Sequence, residues 1–229
     1  MLTSILNCPC TLISSACAAL MACTTLTQAQ TAPKLLFDPS SPNATKQIEI
    51  VKADWKRPVN PGPYTDFKII KTGLEISTPG YVQGAADHPG IHIYPAEGTF
   101  WNLSQYGHIE ATITNTGTSV FGINLHILDD KDGSWTENNS EFVNVKPGET
   151  KTLKVIFGYS RGFRPIGTAN PANLLQLFFY LYHSATPHTF RIENIVAAGS
   201  PGEKPDPALV VIPPPRITPP ANTAPTPRP

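Results

Sequence analysis

Two tyrosines at alternate positions, Tyr180 and Tyr182, stand in "LLQLFFYLYH", and Asn124 and His126 stand at the same spacing in "SVFGINLHILDD". In an extended chain the side-chain period is two, so the members of each pair point the same way. An aromatic ring offers a platform for the apolar C–H face of a pyranose, and amide and imidazole groups can bond the hydroxyls around it. That combination is the chemistry of a sugar site. Trp135, just past the turn "DDKDG", adds a loop tryptophan to the candidates. Arg161 and Arg164, in "GYSRGFRP", add guanidinium groups that suit hydroxyls or carboxylates and suit loop bracing equally well. Packing under a loop is the competing assignment for the two tyrosines. Trp101 lies in an apolar context and is read as a core anchor.

Other chemistries find less support. Neither H-E-x-x-H nor a P-loop occurs. The six histidines are dispersed, with "HPGIH" (His88 to His92) the one close pair. A glycosidase carboxylate pair is defined by its separation in space, which a sequence does not show. Asp129, Asp130 and Asp132 are hard oxygen ligands, but the full spacing of a calcium-loop signature is absent, and Asp-Gly is itself a hairpin signal. The chain is therefore expected to be no enzyme and to carry no cofactor. With 17 Lys and Arg against 17 Asp and Glu, scattered along the chain, no basic patch is available for nucleic acid.

The elements that would position these residues read as strands throughout. "GLEIST", "GIHIYP", "HIEATITNTG", "SVFGINLHILDD", "EFVNVKPGE", "TKTLKVIFG", "LLQLFFYLYH" and "HTFRIENIVAAG" are short and bounded by turn residues. A sustained helical period is absent, although "NPANLLQ" has room for one short helical turn. Alternation assigns Ile109, Ala111 and Ile113 to one face of their strand. It assigns Phe121, Ile123, Leu125 and Ile127 to the core face of the next, opposite Gly122, Asn124 and His126. In "LLQLFFYLYH" it groups Leu175, Leu177, Phe179 and Leu181, opposite Gln176, Phe178, Tyr180 and Tyr182. The fold class is all-β, a single antiparallel β-sandwich of jelly-roll type over residues 47–199.

The flanks differ in composition. All four cysteines lie within the first 23 residues, in an apolar stretch that resembles an export signal over residues 1–29. "LMAC" approximates a bacterial lipoprotein box, in which Cys23 would carry the lipid, although no Lys or Arg precedes Lys34. The stretch is short for a membrane span, which needs about 20 apolar residues. The destination implied is secretion, or the periplasm and cell envelope. Residues 30–46 read as a linker, and residues 200–229 as a proline-rich disordered tail, since proline removes a donor and fixes φ. "ALVVI" (Ala208 to Ile212) is an apolar exception within that tail: a solvated stretch, an edge strand or a docking patch.

The order "WNLSQYGHIEATITNTG", "INLHILDDKDGS", "VKPGETKTLKVIFG", "NPANLLQLFFYLYHSATPHTFRIENIVAAG" resembles the carbohydrate-binding-module-like, galactose-binding-like β-sandwich domains attached to agarases and related polysaccharide-degrading enzymes. The resemblance covers roughly Leu74 to Gly199. It implies a non-catalytic domain that binds a polysaccharide or oligosaccharide on a sandwich face, and it leaves a structural calcium open. A structural or adhesive sandwich without sugar specificity is the alternative, and a polysaccharide-degrading enzyme comes third. The expected ligand-binding residues are Asn124, His126, Trp135, Arg161, Tyr180 and Tyr182.

Overall fold

The computed structural model describes residues 31–52, 62–81, 86–98, 100–129, 139–182 and 184–211. Its strands are β1 (Lys34–Leu35), β2 (Ile48–Ile50), β3 (Asp66–Ile70), β4 (Gly73–Thr78), β5 (Gly90–Ile93), β6 (His108–Asn115), β7 (Phe121–Asp129), β8 (Asn139–Val145), β9 (Thr150–Ile156), β10 (Leu174–Leu181) and β11 (His188–Ala198). Two antiparallel sheets result. One runs β3-β4-β11-β6-β9, with β1 also paired to β11; the other runs β2-β5-β10-β7-β8. From β6 to β11 every step except β7 to β8 crosses between the sheets, which is why non-neighbours in sequence pair in space.

Alternation builds the core. Ile109, Ala111 and Ile113 of β6 face Ile123, Leu125 and Ile127 of β7 in one buried cluster with Leu177, Phe179 and Leu181 of β10. Trp101 is buried in the same cluster and its backbone bridges Leu174, so it is a core residue. Among the polar side chains that enter the core, that of Asn139 is fully paired. Asn139 is fully buried; its amide donates to the carbonyls of Ile156 and Tyr159 and accepts from the Ala169 N–H. Each of those bonds would leave an unmet group if lost.

The structure departs from the sequence expectation in four places. In β10 a bulge lies between Leu174 and Gln176, so Leu174, not Leu175, enters the core; a bulge adds one residue and breaks strict alternation. "NPANLLQ" holds a turn at Asn170–Asn173, closed by the Asn173 N–H on the Asn170 carbonyl, and then strand; no helical turn forms there. The segment expected to be a linker joins the sandwich earlier. Lys34 and Leu35 pair with Ala197 and Val196, and Leu36 and Phe37 are buried in the core. A two-residue strand shows no period, so composition alone hid it. Finally, residues 200–211 lie against the domain instead of leaving it at Gly199: Glu203 bonds His108, and the Val211 N–H donates to the Gly162 carbonyl. The leader and Cys23 lie outside the described residues, as does the tail beyond Val211. Among the described residues, no helix is long and apolar enough to cross a membrane.

If Phe37 belongs to the core, Phe37→Ala should cost about 3–5 kcal/mol, the range for deleting a buried phenylalanine. Urea midpoints of the two proteins measure this. A difference below about 0.5 kcal/mol, typical of a surface position, would return the segment to a linker.

Candidate functional site

The outer face of the five-stranded sheet carries the candidate site. Register places its side chains in rows across the strands. Tyr180 of β10 sits opposite Gly90 of β5 and Asn124 of β7, and Asn124 sits opposite Phe142 of β8. The next row runs Glu49, His92, Phe178, His126, Ser140 across all five strands. Gly122 pairs with Asn144. An open cavity of about 620 Å³ lies over this face, lined in part by Asn124, His126, Phe142, Arg161, Tyr180 and Tyr182. Of the six residues expected from sequence, five line this one cavity. The sixth, Trp135, lies outside the described residues, as do Asp130 and Asp132.

Within the cavity the residues take different stations. Tyr182 is 63% exposed and Phe142 55%, whereas Tyr180 and His126 are 5% and 2% exposed. The first pair are rims and the second pair floor. Phe178 stacks on Tyr180 at 4.5 Å between centroids, and Tyr180 meets Tyr182 edge-on at 5.8 Å. His88 closes on both tyrosines, at 5.1 and 5.2 Å. His92 stacks on Phe178 at 4.3 Å. The floor is therefore a packed aromatic ladder along β10, and Tyr182 is where that ladder reaches water. Gly122 carries no side chain, which leaves the floor open beside Asn144; a Cβ there would stand 2.9 Å from the Asn144 Oδ1.

Phe142 was not anticipated. Its strand reads clearly as "EFVNV", but only the pairing with Asn124 shows which face it serves. Glu141 was also missed, and its work is local. Its two carboxylate oxygens accept the N–H groups of Gly162 and Phe163, each at 2.7 Å. Arg161 and Phe163 have φ of 53° and 57°, in the left-handed region that costs a non-glycine residue free energy. Glu141, together with the Arg161 N–H on the Ser140 carbonyl, holds that loop against the β8 edge. Arg161 then lines the cavity, while Arg164 turns its Nε to the Arg161 carbonyl at 3.0 Å. Of the two arginines, one faces the groove and one braces the loop.

Burial sets the electrostatics. It pushes His126 down to about 4, helped by the Arg161 guanidinium and the His92 ring, so this imidazole is neutral at pH 7. Burial also lowers His92, against the pull of Glu49. It raises the Tyr180 hydroxyl, as do the charge of Tyr182 and a hydrogen bond with it. Glu141 is raised by burial, with its two backbone donors and Arg164 acting in the opposite direction. The floor is neutral and aromatic, and Arg161 at the rim is its cation. Asp129 is buried at the end of β7, where Oδ2 accepts the Asn170 N–H. No group of three His, Cys, Asp or Glu suited to a metal occurs among the described residues.

No family profile matches the chain, and no curated protein matches it. Solved structures do. An agarase crystal structure superposes with a TM-score of 0.55 at 13% identity over 75% of this chain, which spans 25% of the agarase. A family 11 carbohydrate-binding module from Clostridium thermocellum, in complex with a β-1,3-1,4-mixed-linked tetrasaccharide, gives 0.52 at 19% identity over 73% of this chain and 96% of the module. The family 11 module of a cellulosomal cellulase of the same organism gives 0.50 at 16% identity, covering 74% and 95%. At such identities the likeness concerns the fold: this chain has the antiparallel β-sandwich fold found in carbohydrate-binding modules and in part of an agarase.

Proposed function

We propose that the protein binds a polysaccharide or oligosaccharide, without cleaving it, in the groove over β10, β7 and β8. One observation carries this: exposed aromatic rims, Tyr182 and Phe142, stand on either side of a floor that offers Asn124 and an open space at Gly122. A pyranose presents apolar C–H faces and equatorial hydroxyls together, and this floor supplies a partner for each. The solved modules with the same sandwich support the reading, one of them in complex with a tetrasaccharide. Glu141 is the one carboxylate among the described residues of the groove, and both its oxygens already serve the backbone, which favours binding over hydrolysis. The apolar leader favours export to the envelope or beyond, with Cys23 as a lipid attachment point.

A glycan array probed with the protein tests the proposal, with affinities expected between about micromolar and millimolar because hydroxyls exchange water bonds for protein bonds at small net gain. Uniform silence from a folded protein would favour the structural or adhesive alternative. Tyr182→Ala should weaken retention about tenfold or more with little change in melting temperature, because its ring is mostly in water. Tyr180→Ala should lose stability as well, because that ring is buried among Phe178, His88 and Tyr182. Equal stability losses in both variants would make the whole ladder a packing feature.

His126 gives a pH signature with a defined sign. Between its unfolded value of about 6.5 and its folded value of about 4, the unfolded chain takes up a proton that the folded chain refuses. Stability should fall as pH drops through that window, by on the order of 3 kcal/mol at its lower end. His92 and His188 are also lowered by burial and tilt stability the same way. Urea midpoints at pH 7 and pH 4.5 should therefore converge in His126→Asn relative to the parent; an unchanged slope would assign the effect to other groups.

A further inference from the structure

The Arg161–Phe163 loop contains three consecutive residues at positive φ, since Gly162 lies at 85° between Arg161 and Phe163. Two of the three pay for that conformation, so the loop persists only where its surroundings over-determine it. Glu141 supplies one restraint from below. A second comes from outside the sandwich. The Val211 N–H donates to the Gly162 carbonyl at 2.9 Å. The Val211 side chain lies directly over Gly162, where an added Cβ would stand 2.7 Å from Cγ2. The residue that must be glycine for its φ must also be glycine to admit Val211.

The segment that delivers Val211 is pinned at its other end as well. Glu203 bonds His108 Nδ1, and its second oxygen lies 3.4 Å from the Lys154 ammonium. His108 is buried, with Glu110 on its other ring nitrogen at 3.4 Å. Glycines clear the space: a Cβ on Gly107 would stand 2.7 Å from the Glu203 Cβ, and one on Gly199 would stand 2.6 Å from His108 Nδ1. Between the two anchors, Asp206 accepts the Ala208 N–H and starts a single 3-10 turn at Pro207–Leu209. Residues 204–209 are otherwise mostly exposed. A stretch with so little burial of its own holds its place through its ends.

We propose that Ser200–Val211 is a strap that positions the groove: anchored at Glu203 on the β6–β9 side, it fixes the Gly162 peptide through Val211 and thereby the station of Arg161 at the rim. Glu203 and Val211 are positioning residues for Arg161, and neither lines the cavity. The proposal rests on the carbohydrate-binding reading only for what Arg161 meets there; the restraint of the loop stands apart from it.

Amide hydrogen exchange on the full-length chain separates the two. Val211→Pro removes the donor while leaving Glu203 in place, and Glu203→Ala releases the far anchor. Both variants should speed exchange at Gly162 and Phe163 by about tenfold or more, with β6 and β11 amides unchanged. Retention on the glycan that the parent binds should weaken several-fold in both, and Glu203→Gln, which keeps a bond to His108, should recover part of the loss. Unchanged exchange at Gly162 and Phe163 overturns the proposal, as does unchanged retention once exchange has risen. A parent chain that binds no glycan would sink the carbohydrate reading and leave the exchange result to decide the strap.

Discussion

Strand β10 is bonded to β5 on one side and to β7 on the other, and it is packed on both faces. Leu177, Phe179 and Leu181 belong to the core, while Phe178 and Tyr180 form the ladder on the outer face. Because the side-chain period is two, the core register and the groove register are one and the same constraint. A slip of one residue would put phenylalanine and leucine where the tyrosines stand and send the tyrosines inward. The hydrophobic driving force that locks Phe179 between the sheets therefore also aims Tyr180 and Tyr182 at the groove.

That coupling explains the division of labour on the outer face. Residues close to the strand axis are buried by their cross-strand neighbours, so Tyr180 and His126 become floor and lose charge states that burial disfavours. Residues at the ends and edges keep their exposure: Tyr182 just past β10, Phe142 on the edge strand β8, Arg161 on the loop beside it. A buried neutral floor with exposed aromatic rims suits a neutral, many-hydroxyl ligand, because the floor offers polar groups and the rims supply contact area. The loop that carries Arg161 is the costly part of this design, and its left-handed residues are held by the Glu141 carboxylate and by the returning segment after Gly199.

The segments around the sandwich follow from the same edge logic. Strand β1 continues the edge of β11 beyond the end of β4, covering backbone groups that would otherwise be open for pairing. Residues 200–211 make few backbone bonds to the sandwich and rely on the half-buried Glu203 carboxylate at His108 and on the Val211 backbone and side chain at Gly162. Proline-rich composition speaks against an α-helix or an interior strand in the segment from Ser200. It does not exclude docking, which needs only a few well-placed groups.

The sequence by itself determined the class of fold, the strands from β4 to β11 and the inward faces of β6 and β7, because alternation at period two reports burial directly. It also determined that Asn124 with His126, and Tyr180 with Tyr182, point as pairs. Tertiary structure decided that the two pairs share one face, since adjacency of β7 and β10 is set by strand order and not by anything local. It decided that Leu174 replaces Leu175 in the core, because a bulge depends on the partner strand. It decided too that Phe142 and Glu141 belong to the groove, and that Tyr180 is floor where Tyr182 is rim. Exposure is a property of neighbours, and the partners of β10 lie 45 or more residues away in the chain, as Leu174 opposite Asp129 shows.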